Sequence, residues 1–188
     1  MPLLRVAIAT VVLSLDACAA PVTDEVELGQ TSAPAPSHDI SGEITGDLGV
    51  VRAWGFEAAS ADCNGWSASG GSSIRSVPSH SGAYACKLCP DGTSPEMALS
   101  RRVAGLPPGR YVVSAWLRRH GDPDVAPMRA RIVLGGSVST AALDDRWQAV
   151  GEWFDVDTEI ASAHVRIVAD VSEGEDCLLV DDVVVGRR

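Results

Sequence analysis

Helical periodicity is missing from this chain. No segment repeats apolar residues at helical spacing for more than a turn or so, which argues against helical bundles and alternating strand–helix folds. Catalytic signatures are missing too. There is no Gly-x-Ser-x-Gly elbow, no His-Glu-x-x-His and no phosphate-cradling loop. A glycosidase needs two carboxylates facing each other across a cleft. Asp181 and Asp182 are adjacent in a strand-like run and are expected on opposite faces, so they do not supply that pair. His80 and His120 sit in turn-like segments without a nucleophile at a recognisable spacing. An enzyme is therefore not expected. Positive charge is scarce, with 15 Lys and Arg against 25 Asp and Glu and a formal net charge of -10. That balance argues against nucleic acid as a partner.

The 188 residues suffice for one domain plus extensions, and 46% hydrophobic content allows a full core. Eighteen Gly and 11 Pro, without helical period, favour an all-β fold. At the N-terminus Arg5 precedes an apolar run from Val6 to Leu15. The run is too short to cross a bilayer but suits the core of a signal peptide. It ends in Leu15-Asp16-Ala17-Cys18, which resembles a bacterial lipobox, with Cys18 as the acylated residue. The alternative is ordinary cleavage near Ala17 to Ala20 and a secreted product. Residues 1–18 are thus expected as a signal peptide and 19–46 as a tether. Within it, Thr31-Ser32-Ala33-Pro34-Ala35-Pro36-Ser37 is too small, polar and Pro-interrupted to bury much surface. Membrane contact is expected through the lipid anchor only, at the cell envelope.

Of five Cys, setting Cys18 aside leaves Cys63, Cys86, Cys89 and Cys177. In an exported chain these suggest two disulfides. Cys86 and Cys89, if extended, stand about 10 Å apart, too far to bond to each other. Cys63 and Cys177 are then expected to bond to that pair, in either of two ways. A four-thiolate zinc site is the rival.

Residues 47–188 read as about ten short strands, the pattern of a two-sheet antiparallel β-sandwich or jelly roll. The clearest starts after Pro107-Pro108-Gly109. Tyr111, Val113, Ala115 and Leu117 fall on one face, with Trp116 and Arg118 on the other. On Met128 to Leu134 the apolar set leaves Arg129 and Arg131 outward. On Ala163 to Ala169 it leaves His164 and Arg166 outward, and Trp153 opposes Phe154. If these strands share a sheet, an acidic protein carries a basic, aromatic-studded face. Aromatic rings stack on sugars, and Arg offers paired donors to hydroxyls or a uronate. The expected ligand is a polysaccharide or other glycan, an acidic one if the Arg are used. Otherwise the Arg pair with neighbouring Asp and Glu on a solvated face.

Several signatures occur in order: Phe56-Glu57, then Trp66, then His80-Ser81-Gly82, then Gly105 to Arg118, then Trp147 to Phe154, then Leu179-Val180-Asp181-Asp182-Val183. Together they resemble the jelly-roll carbohydrate-binding modules of the galactose-binding-like group, appended to bacterial xylanases and endoglucanases. The resemblance implies a non-catalytic module with its ligand cleft on one sheet face. It also implies a structural Ca²⁺ held by Glu57, by Asp181 or Asp182, and by backbone carbonyls. Against the glycan reading stands an envelope structural or adhesion lipoprotein whose partner is a protein.

Overall fold

The computed structural model describes residues 49–57, 62–124, 126–171 and 176–188. The expected signal peptide, Cys18 and the tether lie outside the described residues. Among these residues the regular structure is entirely β. The strands are β1 (Gly49–Trp54), β2 (Ser67–Ser69), β3 (Gly71–Ser76), β4 (Ala85–Pro90), β5 (Glu96–Leu106), β6 (Gly109–His120), β7 (Met128–Leu134), β8 (Ser137–Leu143), β9 (Gln148–Val156), β10 (Ile160–Asp170) and β11 (Cys177–Arg187). They form two antiparallel sheets. Sheet A runs β3-β4-β11-β6-β9, with β1 also on β11, and sheet B runs β2-β5-β10-β7-β8. This is the jelly-roll sandwich that the strand count and spacing predict.

Period two explains the core. Tyr111, Val113, Ala115 and Leu117 from β6 are buried against Met128, Ala130, Ile132 and Leu134 from β7 and against Ala163, Val165, Ile167 and Ala169 from β10. Each large side chain withdrawn from water contributes roughly 1.5–3 kcal/mol. β8 is the strand that the sequence reading omits. Its Ser-Val-Ser-Thr-Ala-Ala-Leu has little bulk to reveal its alternation. It pairs with β7 across Gly135-Gly136, both at positive φ, as a two-residue hairpin turn requires.

The four remaining cysteines form Cys63–Cys86 and Cys89–Cys177, with Cα separations of 5.4 and 4.3 Å. This is one of the two pairings expected, and no zinc site is left for these thiols. Cys86 and Cys89 lie three apart on β4 and so point to opposite faces. The first bridge is buried in the core, and the second lies on the outer face of sheet A.

Two features govern the site. First, β6 and β9 belong to sheet A, whereas β7 and β10 belong to sheet B. Second, β11 slips register against β6 between Asp181 and Val184, and Asp182 has φ 44°. This is a β-bulge, which inserts a residue and resets the alternation. Leu178 and Val180 face the core before it, Val183 and Val185 after it.

Candidate functional site

The face expected from sequence is divided in two. Trp116, Arg118 and Trp153 lie on the outer face of sheet A. Arg129, Arg131, His164 and Arg166 lie on the outer face of sheet B. A shared core separates the sheets, so these faces look in opposite directions. Period two assigns each side chain to a face of its own strand. Which strands share a sheet is decided by distant pairing, and the expectation of one shared sheet is corrected here. On sheet B, Arg131 contacts Glu96 and lies 3.3 Å from Asp170, the solvated pairing that was the alternative. Arg129, His164 and Arg166 are exposed. On sheet A, Trp153 carries Arg110 over its ring at 5.3 Å. It pairs with Val112, four residues from Trp116, which is about 14 Å along the strand.

What sheet A brings together is an aromatic corner. The His80 ring stacks on Trp116 at 3.8 Å between centroids, with an interplanar angle of 11°. Trp147 meets His80 edge-on at 5.8 Å. All three remain partly exposed. The segment from Ser79 to Tyr84 is strapped over the sheet, and carboxylates hold it there. Asp181 accepts from the backbone N–H of His80 at 2.9 Å and of Ser81 at 3.1 Å. Asp182 Oδ2 lies 2.8 Å from His80 Nδ1, and Asp182 Oδ1 accepts from the Ser81 hydroxyl at 2.7 Å. Glu57 accepts from the N–H groups of Ala83 and Tyr84 at 3.0 Å.

This arrangement corrects the reading of Asp181 and Asp182 as pointing to opposite faces. Regular alternation requires that, but the bulge turns both carboxylates onto the same strap. It also bears on calcium. Glu57, Asp181 and Asp182 are spread along the strap and occupied by its donors. Among the described residues no group of three or more His, Cys, Asp and Glu side chains could hold a metal ion. A Ca²⁺ shell here would need backbone carbonyls beside these carboxylates, and the strap amides already partner Glu57 and Asp181. Burial raises the Asp181 carboxyl above its ordinary value, against the lowering effect of the amides that bond it.

Beside the corner stands Arg118, two residues beyond Trp116 on β6. Its Nε is buried and has no hydrogen-bond partner, a shortfall that costs about 1–3 kcal/mol when a donor is left unmade. Asp176 departs from expectation as well. It reads as a loop charge, yet it is buried 3.5 Å from the equally buried Arg119.

Sequence reasoning missed His80 and Trp147 as members of the corner. His80 is 36 residues from Trp116 in the chain, and only the strap carries it across. No local pattern announces that contact. Trp147 lies just before β9, the neighbour of β6, and that place gives it to the corner.

The architecture defines an antiparallel jelly-roll sandwich with an aromatic corner on one outer face. No family model and no curated protein matches the sequence. Solved structures do match the fold, and those most like it include carbohydrate-binding modules of jelly-roll type. One is a family 61 module in complex with β-1,4-galactotriose, 19% identical, covering 71% of this chain and 94% of that one, with a TM-score of 0.52. Another is a xylan-binding domain of family 22, 13% identical, covering 75% and 96%, with a TM-score of 0.50. A third is the family 22 and glycosidase pair of modules of Clostridium thermocellum xylanase 10B complexed with xylohexaose. It is 13% identical over 74% of this chain and 28% of that one, with a TM-score of 0.53.

Proposed function

We propose that the domain is a non-catalytic carbohydrate-binding module that takes a glycan on the outer face of sheet A. The observation that carries the reading is the corner itself: the His80 ring in contact with both Trp116 and Trp147, all three partly exposed, beside an arginine with an unsatisfied buried donor. Aromatic faces and edges offer apolar contact to the C–H face of a sugar. Arg118 offers N–H groups to hydroxyl or carboxylate oxygens, which makes an acidic glycan the better fit. Strapping His80 onto Trp116 fixes the corner before ligand arrives, so little side-chain entropy is lost on binding. Fold likeness to modules solved with galactotriose and xylohexaose agrees with this reading.

The test is a titration of glycans into wild type and Trp116→Ala. Binding that disappears in the variant, at an unchanged melting temperature, supports the proposal. Equal binding in both forms would overturn it. One observation favours a second reading. His80 covers one face of Trp116, as expected of a packing residue on a face that meets a protein partner. In that case no glycan binds, and the corner is part of a protein interface.

The same proposal takes the domain as exported, in keeping with its two disulfides, and held at the envelope through acylated Cys18. Cys18→Ser should move the protein from the membrane fraction to the soluble fraction. Continued membrane association of that variant would refute the anchor.

A further inference from the structure

We infer that Lys87, Arg118 and His120 form an oxyanion subsite on the outer face of sheet A. The glycan then carries a carboxylate or sulfate beside the aromatic corner. This inference rests on the glycan reading above and narrows it to a charge class.

The placement follows from register. Lys87 pairs with Leu179, and Leu179 pairs with Arg118, so the two cations flank one residue of β11 in a single row. Two strand spacings put their backbones about 10 Å apart, a gap that two long side chains close. His120 stands two residues beyond Arg118 on β6, opposite Cys177. Leu179 lies between the two in that row. It faces outward, away from its core-facing neighbours Leu178 and Val180, yet its exposure is 0%. Its cover comes from neighbours on this face, among them Lys87 and Arg118 in its own row and the Cys89–Cys177 bridge beside it. Cationic stems laid over it would bring the two heads together above it.

The charges show the same convergence. His120 is held below the ordinary imidazole value by burial first, then by Lys87, then by Arg118. Both cationic heads therefore act on one ring. The acid that acts on His120 is Asp176, and its oxygens are already engaged. One accepts from the Asp122 N–H at 3.2 Å and the other faces Arg119 at 3.5 Å. From β11 this part of the face receives Cys177 and Leu179, and from β4 it receives Cys89 and Lys87. None of these is an acid. From the β8–β9 turn, Asp144 directs its carboxylate to its own Arg146 N–H and to Gln148. Neither Lys87 nor Arg118 makes a hydrogen bond or ion pair with a described residue. Among the described residues, Lys87 and Arg118 thus stand beside His120 without an ion-pair partner of their own. An oxyanion from the ligand supplies one, accepting from the Arg118 guanidinium and the Lys87 ammonium and favouring protonation of His120.

The test uses the full chain in calorimetric titrations with three oligosaccharides of equal length: an oligogalacturonate, a sulfated galactan and a neutral β-1,4-galactan. Wild type, Lys87→Gln, Arg118→Gln and Trp116→Ala are compared, each with its melting temperature. The expected result is that at least one charged ligand binds about tenfold or more tighter than the neutral one. Lys87→Gln should reduce that preference about tenfold and leave neutral binding unchanged, since a charge-assisted contact is of that size. Preference for carboxylate or for sulfate identifies which oxyanion the subsite takes. Should Arg118→Gln fail to fold, Lys87→Gln still decides the matter, because Lys87 is only partly buried. Equal affinity for charged and neutral ligands overturns the subsite but leaves the glycan reading standing. An unaltered preference in Lys87→Gln does the same. No binding of any glycan by wild type removes both.

Discussion

Gly82 should be the most sensitive glycine of the strap, and the expected size of the effect can be worked out. Its φ is +60°, and a Cβ there would lie 2.4 Å from Glu57 Oε1 and 2.7 Å from Cδ. Gly82→Ala therefore carries two costs. Holding an L-residue in the left-handed region costs about 1–2 kcal/mol. The second cost is not a rigid clash, because the glutamate end can swing away. Swinging away, however, releases the N–H groups of Ala83 and Tyr84. Glu57 is exposed, so each bond is taken at the modest net value of about 0.5–1.5 kcal/mol, adding about 1–3 kcal/mol. Gly92→Ala is the control. Its φ is +75°, and a Cβ there meets nothing within 4 Å, so it carries the backbone cost alone. The gain from a stiffer unfolded chain is common to both and cancels. Gly82→Ala should thus melt below Gly92→Ala by about 3–12 °C, at roughly 3–4 °C per kcal/mol for a domain of this size. Differential scanning calorimetry of the two variants measures this. Equal melting temperatures would show that Glu57 does not hold the strap, and the account of the aromatic corner would lose its footing.

Glu57→Gln should lower the melting temperature, because the strap amides lose a charged acceptor. EDTA tests the expected Ca²⁺ separately: a loss of several degrees would establish a bound cation, and an unmoved melting temperature would count against one. Asp176→Ala should cost about 3–5 kcal/mol by taking the carboxylate away from the buried Arg119 charge, while Arg119→Met with Asp176→Leu should cost far less; urea unfolding separates the two cases. In the chain-entropy account, losing Cys89–Cys177, 88 residues apart, should cost about 1 kcal/mol more than losing Cys63–Cys86, 23 apart. Paired Cys→Ala variants compared by denaturant midpoint test the order. His120 has a native value below that of the unfolded chain, so between that value and about pH 6.5 the unfolded chain binds more protons. Stability should fall as pH drops through this window, and less so in His120→Gln. Parallel pH profiles of the two proteins would contradict the burial of that ring.

The strands were legible because the two faces of a sandwich strand differ in chemistry, and Met128 to Leu134 is the clearest case. β8 was not, because Ser, Thr and Ala alternate too faintly. The disulfides were narrowed to two pairings because β4 holds Cys86 and Cys89 apart, a local fact. Choosing between them required the meeting of β4 with β11. The site was legible by residue but not by place. Trp116 and Arg118 could be assigned to an outer face, and Arg131 and Arg166 to another, yet nothing local tells that β6 and β10 belong to different sheets. The bulge at Asp182 was invisible for a related reason. One inserted residue reverses a parity that Leu178, Val180, Val183 and Val185 express only when their burial is known. His80 lay furthest beyond reach, since its contact with Trp116 depends on carboxylates a hundred residues downstream.

β1 and β11 pair with Gly49 opposite Arg187, so these two residues lie side by side at one corner of the fold. A pull applied between these two points does not load the strand pair in shear, with all its hydrogen bonds resisting at once. It peels the pair from the corner, one rung after another, as a zip is opened. A load that entered through β6, by contrast, would meet rungs on both flanks of that strand, to β11 and to β9. The fold should therefore be weak along the line joining Gly49 and Arg187 and stronger against a load taken up in the middle of sheet A.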